Sequence, residues 1–372
     1  LDRVRYMQCI YYLQRFGSEE MIIKFWLRHG LLEDCLRHLD SKPPPYDIKH
    51  LLLIVNHALS RNLFPRFRDA LYKIDKEVER WREALLALCV HFHSAKMPTV
   101  LLELQIAMRD YSRAGLTCMT IFNAVGSPSE KMHYLDLVQR FLTKALETFD
   151  ETLALQQKTA SSTPRLPLGK VELARHIKTA GLQAKVVEFM ETLTPSKSNP
   201  TPDSLSDDFT LWGNPSMKQT ITELLIVNHN FDLAFKIIQE YRLPSDKIYK
   251  EAVVTMAKRK QVKKIDELLK SIKIVLKGRD LDACMVAAAR VFGLVHNDFS
   301  TADSFATKVV DQALACEAFI ACRKLKQAYL IAAKIKDMDL VRAIQTEAKR
   351  LDMKREYELC DTFLKSYDDP SA

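Results

Sequence analysis

The chain has 372 residues, of which 47% are hydrophobic and 27% charged, and its net charge is +8. These fractions are typical of a globular protein and exclude a disordered chain, while the length exceeds a single core and favours several domains or one repeat array. Because only 9 residues are glycine and alternating β-branched runs are scarce, hairpin-rich β structure is excluded.

Amphipathic helices follow one another from the start of the chain. Apolar residues at i, i+3 and i+4 predict helices near residues 4–15, 18–29, 31–39, 46–59, 64–75, 78–93, 98–109 and 112–124. Ser127, Pro128 and Glu130 supply a cap, a first-turn proline and an acidic third position, which predict a long helix reaching about residue 157. Residues 1–157 are therefore predicted to form an N-terminal helical array.

The middle of the chain has a different composition. Residues 159–169 and 194–215 are rich in Ser, Thr, Pro and Asp, so we expect exposed loops there. The composition of the second loop is also compatible with disorder. Between them the pattern predicts a short helical pair over residues 170–193. Residues 158–215 are therefore expected to be an irregular linker region.

Helical hairpins recur most plainly over residues 216–372. The first is predicted near residues 216–241 and the next near 248–272, followed by alanine-rich helices near 281–292, 313–324, 328–336, 340–350 and 354–366. Second helices begin at intervals of roughly 30 residues, although no strict consensus recurs and the match to the tetratricopeptide pattern is poor. The predicted fold is all-α, an elongated α-solenoid of divergent helical hairpins.

No recognisable catalytic or cofactor motif is present. No two glycines lie within ten positions of each other, which excludes the glycine-rich phosphate loops of the Walker, Rossmann and kinase types. The zinc helix H-E-x-x-H and the nucleophile elbow G-x-S-x-G are also absent. We therefore expect no enzyme activity, no catalytic residues and no cofactor.

Two groups of cysteines and histidines have a spacing that could bind a metal ion. Cys89 and His93 lie one helical turn apart with His91 nearby, and Cys35 and His38 are similarly spaced, but a structural zinc site needs four ligands and no matching second pair exists. Core cysteines with partly exposed histidines are the preferred interpretation, and no metal is predicted. Eight cysteines without any C-x-x-C favour reduced thiols in a cytoplasmic compartment.

One segment carries most of the excess charge. Residues 258–279 contain nine cations and two carboxylates, a net charge of +7. The segment, here called the basic hairpin, is either a solvated helical face or a docking surface for an acidic protein or anionic lipid. A basic nucleic-acid-binding helical solenoid is the alternative function, although no aromatic residues are interleaved with the cations as stacking platforms. The candidate docking residues are Lys258, Arg259, Lys260, Lys263, Lys264, Lys270, Lys273, Lys277 and Arg279.

Two segments carry a resemblance to a known family. Residues 25–36, FWLRHGLLEDCL, and residues 327–333, QAYLIAA, leading into IQTEA at 344–348, resemble the C-terminal helical region of the spastizin family of FYVE-finger proteins. The resemblance implies a scaffold that works with spatacsin and the fifth adaptor-protein complex in protein transport, lysosome reformation and autophagy. It also implies a cytoplasmic protein recruited to the cytosolic face of late endosomes and lysosomes. The family's cysteine-rich FYVE zinc module is absent here.

Overall fold

The computed structural model describes residues 3–43, 45–158, 167–193, 209–276 and 278–368. Within these ranges the chain forms 21 α-helices, one π-helical segment and no strand. The all-α prediction is confirmed. The chain divides into two compact units, Leu1–Asp208 and Phe209–Ala372.

The described residues of the first unit form eleven helices. They are α1 (Arg3–Phe16), α2 (Glu19–Arg28), α3 (Leu32–Asp40), α4 (Ile48–Ser60), α5 (Phe64–Ile74), α6 (Arg82–Ser94), α7 (Pro98–Ala107), α8 (Tyr111–Ala124), α9 (Pro128–Glu147), α10 (Phe149–Lys158) and α11 (Lys170–Leu193). Helix α5 packs on α3 and α4, and α11 packs along α9. Each of the other helices from α2 to α8 packs on the helix that follows it or on the one after that. The apolar stripes of α2 to α7 form a continuous buried core from Ile22 to Met108.

The second unit is the more regular helical-hairpin stack. It contains α12 (Pro215–Val227), α13 (Phe231–Tyr241), α14 (Ser245–Lys258), α15 (Val262–Ile272), α16 (Arg279–Arg290), α17 (Phe299–Ala306), α18 (Gln312–Ala321), α19 (Leu325–Ile335), α20 (Met338–Arg350) and α21 (Lys354–Asp368). A π-helical segment, Val291–Val295, extends α16.

Successive hairpins in this unit stack through their first helices. Each even-numbered helix from α12 to α18 packs on the next even-numbered helix. Each even-numbered helix from α12 to α20 also packs on the helix that follows it in sequence. Their first residues are roughly 30 positions apart, as predicted from the sequence. Because each hairpin buries its apolar face on its immediate neighbours, this is the packing of an α-solenoid.

Several turns between helices depend on single residues in the left-handed region rather than on glycine. Lys260 (φ 57°), Arg323 (φ 58°) and Lys336 (φ 55°) are three such residues in the second unit. At the first of these turns the Gln261 amide donates to the Met256 carbonyl oxygen at 3.0 Å, which closes the end of α14 in the manner of a Schellman motif. Non-glycine residues in this conformation explain how so many turns coexist with so few glycines.

Three predictions for residues 127–193 differ from the structure. Residues 170–193 form one continuous helix rather than a helical pair, since no proline interrupts them and the bare backbone of Gly181 faces Gln139 on α9. The predicted long helix from residue 128 ends at Glu147, and α10 begins after Thr148. Ser127 occupies the predicted cap position, but its side chain makes no capping hydrogen bond.

The predicted linker is only partly described. Residues 159–166 and 194–208 lie outside the described residues, so the loops expected there stay predictions. Helix α11, which lies in the predicted linker region, packs on α9 within the first unit. The division between the two compact units, after Asp208, falls inside the predicted linker region.

Candidate functional site

The basic hairpin extends from the end of α14, along α15, to the first residue of α16. Eight of its nine cations are described, and Lys277 lies outside the described residues. Seven of the eight are exposed, and Lys264 is half-buried. The cations are outside the core because α15 buries its apolar stripe of Ile265, Leu268, Leu269 and Ile272. With 3.6 residues per turn, Lys263 and Lys270 share the opposite face of that helix.

The cations form two groups at opposite ends of α15. The helix has 11 residues, so its ends are about 16 Å apart at 1.5 Å per residue. The amino-terminal basic group consists of Lys258, Arg259, Lys260, Lys263 and Lys264. The carboxyl-terminal basic group consists of Lys270, Lys273 and Arg279. A compact partner would therefore engage one group more closely than the other, a separation that residue counting did not reveal.

The carboxylates near the basic hairpin already have other partners. An oxygen of Asp266 lies 2.8 Å from the Lys308 ammonium, and Glu267 lies 3.6 Å from a ring nitrogen of His229. No carboxylate of the described chain is within ion-pair distance of any of the eight cations. Their charge is consequently available to a binding partner.

The amino-terminal basic group has a partial counter-charge in Asp298. Hydrogen bonds from Thr301 and, to a smaller extent, the charge of Lys260 hold the pKa of the Asp298 carboxyl below its ordinary value. One of these bonds caps α17, since the Thr301 backbone amide donates to the Asp298 carboxylate at 3.1 Å. This carboxylate therefore stays ionised beside the amino-terminal group over the physiological pH range.

An open groove of about 710 Å³ lies beside the carboxyl-terminal basic group. Its volume is within the ~300–1,000 Å³ usual for ligand sites. Lys270, Lys273 and Lys308 line it together with apolar side chains of α15, α16 and the loop after α17. The apolar lining consists of Leu269, Leu276, Leu281, Met285 and Val310.

Buried Asp282 fixes the far wall of this groove. Its carboxylate accepts hydrogen bonds from the backbone amides of Val310 at 3.1 Å and Asp311 at 2.7 Å. The loop that carries Lys308 and Val310 is thereby attached to α16. Sequence reasoning missed this wall because the loop lies about 30 residues beyond the basic hairpin.

Seven cysteines are buried in the hairpin interfaces and Cys9 is exposed. Burial raises the pKa of the Cys322 and Cys360 thiols to about 11. The same cause raises the pKa to about 12 for Cys35, Cys89, Cys118, Cys284 and Cys316. Such thiols are packed and protonated, whereas reactive or metal-binding cysteines need accessible thiolates.

The structure separates the candidate metal ligands Cys89 and His93 by burial. Cys89 is buried on α6, whereas His91 and His93 are exposed on the same helix. In the described part of the chain, no set of three or more His, Cys, Asp or Glu side chains could hold a metal ion. None of its helices is long and apolar enough to cross a lipid bilayer.

Comparison with known proteins gives two kinds of match. A family model described as "ZFYVE26-like, TPR repeats" matches residues 244–365. Zinc finger FYVE domain-containing protein 26 of Homo sapiens is 25% identical over 383 residues, covering 94% of this chain and 14% of that protein. The Ailuropoda melanoleuca protein of the same name is 24% identical over 371 residues, with the same two coverages. The chain fits the C-terminal helical region of spastizin, the ZFYVE26 protein.

A further relative shows that the similarity extends beyond vertebrates. Protein DDB_G0276689 of Dictyostelium discoideum is 26% identical over 366 residues, which is 98% of this chain and 13% of that protein. The chain thus spans about one seventh of the length of the curated relatives it matches. The resemblance predicted from residues 25–36 and 327–348 is confirmed.

The family match also relates the divergent hairpins to a known class of repeat. Residues 244–365 are related to tetratricopeptide repeats, although their sequence matches the consensus pattern poorly. What these hairpins retain is close helix packing through small residues, with Ala252, Ala288 and Ala328 fully buried. Repeats of this kind present surfaces for other proteins, so the homology supports a helical protein-binding scaffold.

Proposed function

We propose that this chain is a non-enzymatic protein–protein interaction scaffold in endosomal and lysosomal trafficking. It acts with spatacsin and the fifth adaptor-protein complex at the cytosolic face of late endosomes and lysosomes. The observation that carries the proposal is the similarity to zinc finger FYVE domain-containing protein 26 over 94% of the chain. The stacked hairpins of the second unit supply a surface suited to such a role.

The basic hairpin is the proposed docking surface for an acidic protein or anionic lipid. Its exposed cations have no ion-pair partners in the described chain, and the two basic groups extend along about 16 Å of α15. Each exposed lysine contributes little alone, so binding at this surface depends on several contacts together. Association should therefore slow as salt is added, because steering by such a surface is electrostatic.

Affinity capture from cells tests the scaffold proposal. The full-length protein should capture spatacsin and the adaptor complex, and a deletion of residues 209–372 should lose at least one of them. Capture of both partners by the deleted protein would contradict a scaffold role for the second unit. Recovery of RNA or DNA with steep salt dependence, and of neither partner, would favour the nucleic-acid-binding solenoid instead.

A charge-reversal variant tests the docking surface. Lys258, Lys260, Lys263 and Lys270 are changed together to Glu, and half-buried Lys264 is left unchanged to protect packing. Association with the acidic partner should slow and its salt dependence flatten. The matched control reverses four exposed lysines elsewhere in the same unit, namely Lys326, Lys334, Lys349 and Lys354. An equal reduction of the association rate in both variants would show that binding depends only on the net charge of the unit.

A further inference from the structure

Three exposed aliphatic side chains lie at the carboxyl-terminal end of the basic hairpin. Ile274 and Val275, in the turn after α15, are 83% and 58% exposed, and Val310, in the loop after α17, is 83% exposed. Lys273 and Leu276, which flank the first two, line the same groove as Val310. Single exposed apolar residues are ordinary, but a local group of them marks an interaction site. We call these three residues the aliphatic tip.

Free positive charge surrounds the aliphatic tip. Lys270 and Lys273 line the groove, and Arg279 follows the turn at the start of α16. The two groove carboxylates are both engaged, Asp266 by Lys308 and Asp282 by two backbone amides. Asp280, exposed in the first turn of α16, is the carboxylate beside Arg279, and there it also faces the positive end of the helix dipole. The local charge is therefore positive.

This combination fits a lipid surface better than a protein surface. Protein hot spots are rich in Trp, Tyr and Arg set in packed pockets, whereas the tip consists of protruding β-branched aliphatic side chains. Interfacial membrane sites place aliphatic side chains at the boundary of headgroups and acyl chains, while lysines contact anionic headgroups. Lysine suits such a place because its long apolar stem can lie along the boundary with the ammonium in water.

We propose that the aliphatic tip and the carboxyl-terminal basic group together contact an anionic membrane surface. Ile274, Val275 and Val310 enter the interface, and Lys270, Lys273 and Arg279 bind lipid phosphates and carboxylates. The inference deepens the proposed docking surface and rests on it. It commits that end of the surface to lipid, and it does not require any protein partner.

Vesicle binding by the whole chain tests this proposal. The probes are vesicles of phosphatidylcholine alone and of phosphatidylcholine with phosphatidylserine, compared by cosedimentation at low and high salt. The parent chain should bind the phosphatidylserine vesicles at least about tenfold more strongly, and added salt should weaken that binding. Equal binding to both vesicles, or to neither, would overturn the proposal.

Two variants divide the site into its components. I274S with V275S removes the aliphatic contact without changing charge, and K270E with K273E reverses the charge. Each should reduce affinity for the anionic vesicles by about tenfold. The matched controls are L330S with L359S and K326E with K334E, which change exposed residues on α19 and α21. Circular dichroism melts verify that all four variants fold.

The outcomes separate lipid from protein binding. The proposal would be contradicted if the control variants lost as much affinity for anionic vesicles as the site variants. It would also be contradicted if I274S with V275S left that affinity unchanged. If the parent chain ignores vesicles while K270E with K273E abolishes capture of an acidic protein partner, the surface binds protein and the lipid inference is wrong. Failure of the scaffold proposal alone would leave the vesicle result unchanged, because no partner is present in that assay.

Discussion

Gly293 allows the π-helical segment to approach α18 more closely than any other residue type would permit. A Cβ on Gly293 would overlap the carbonyl oxygen of Ala321, and a backbone oxygen cannot rotate away as a side chain can. G293A should therefore lower the free energy of unfolding by about 1–3 kcal/mol, measured by urea denaturation. Gly126 has no atom within 4 Å of the equivalent position, so G126A should change stability little. Similar losses in both variants would contradict the steric argument.

At the left-handed turn residues, a substitution by glycine is expected to raise the free energy of unfolding. Lys336 ends α19 with φ 55° and is exposed, a conformation that costs a side-chain-bearing residue about 1–2 kcal/mol more than glycine. K336G should raise the free energy of unfolding, by less than that amount because glycine is more flexible in the unfolded chain. A343G, at an exposed position inside α20, should lower it by about 1 kcal/mol. Destabilisation by both substitutions would show that the turn does not strain Lys336.

At the scale of the element, each hairpin contributes a buried stripe. Ile265 on α15 is fully buried, whereas Ile274 in the following turn is 83% exposed. I265A should reduce stability by about 2–5 kcal/mol through transfer and cavity costs, and I274A should be close to neutral. The comparison uses thermal or urea unfolding of the whole chain. A neutral I265A would mean that α14 and α16 close over the vacated space.

The helices were predictable where an apolar stripe is long and one-sided. Helix α17 was missed because its 8 residues, FSTADSFA, contain only three buried side chains among small polar ones. The stripe of α9 did not reveal its end at Glu147, since the residues after it are also helical. Residues 170–193 were predicted as a helical pair, whereas the structure has one continuous helix. The packing of this helix on α9, where Gly181 faces Gln139, was invisible in the sequence.

The candidate docking surface was predictable in its charge and not in its geometry. Counting cations identified residues 258–279, but only the fold divides them between the two ends of α15. The groove beside the second group depends on Lys308 and Val310, which reach it through the bonds from their loop to Asp282. Tertiary hydrogen bonds of this kind leave no local sequence pattern.

At the scale of the whole molecule, the two compact units should fold separately. Chains comprising residues 1–208 and 209–372 should each be helical by circular dichroism and melt cooperatively, because each has its own buried core. The sum of their spectra should reproduce that of the intact chain. An unfolded second unit would show that it requires the first for stability.

The buried thiols make stability depend on alkaline pH. Their pKa values are raised by burial to about 11 or 12 in the folded chain, as for Cys360 and Cys284, from an ordinary value near 9. Above that ordinary value thiols ionise in the unfolded chain but stay protonated in the folded one, so stability is full below about pH 9 and falls as pH rises towards 11–12. Unfolding temperatures measured across this range should decline. C284A should decline less steeply, and an identical slope would contradict this origin.

The stacking of hairpins on their immediate neighbours has a consequence for synthesis on the ribosome. The final cluster, which includes Cys316, Val341, Ile344 and Cys360, is built from α18 to α21 alone. Earlier hairpins can acquire their native contacts while this cluster is still inside the exit tunnel. A premature stop codon just before Met338 would thus release a chain that is folded for most of its length but presents the bare apolar sides of α18 and α19. Such a product would be recognised by chaperones or would aggregate through one end, although most of its fold is intact.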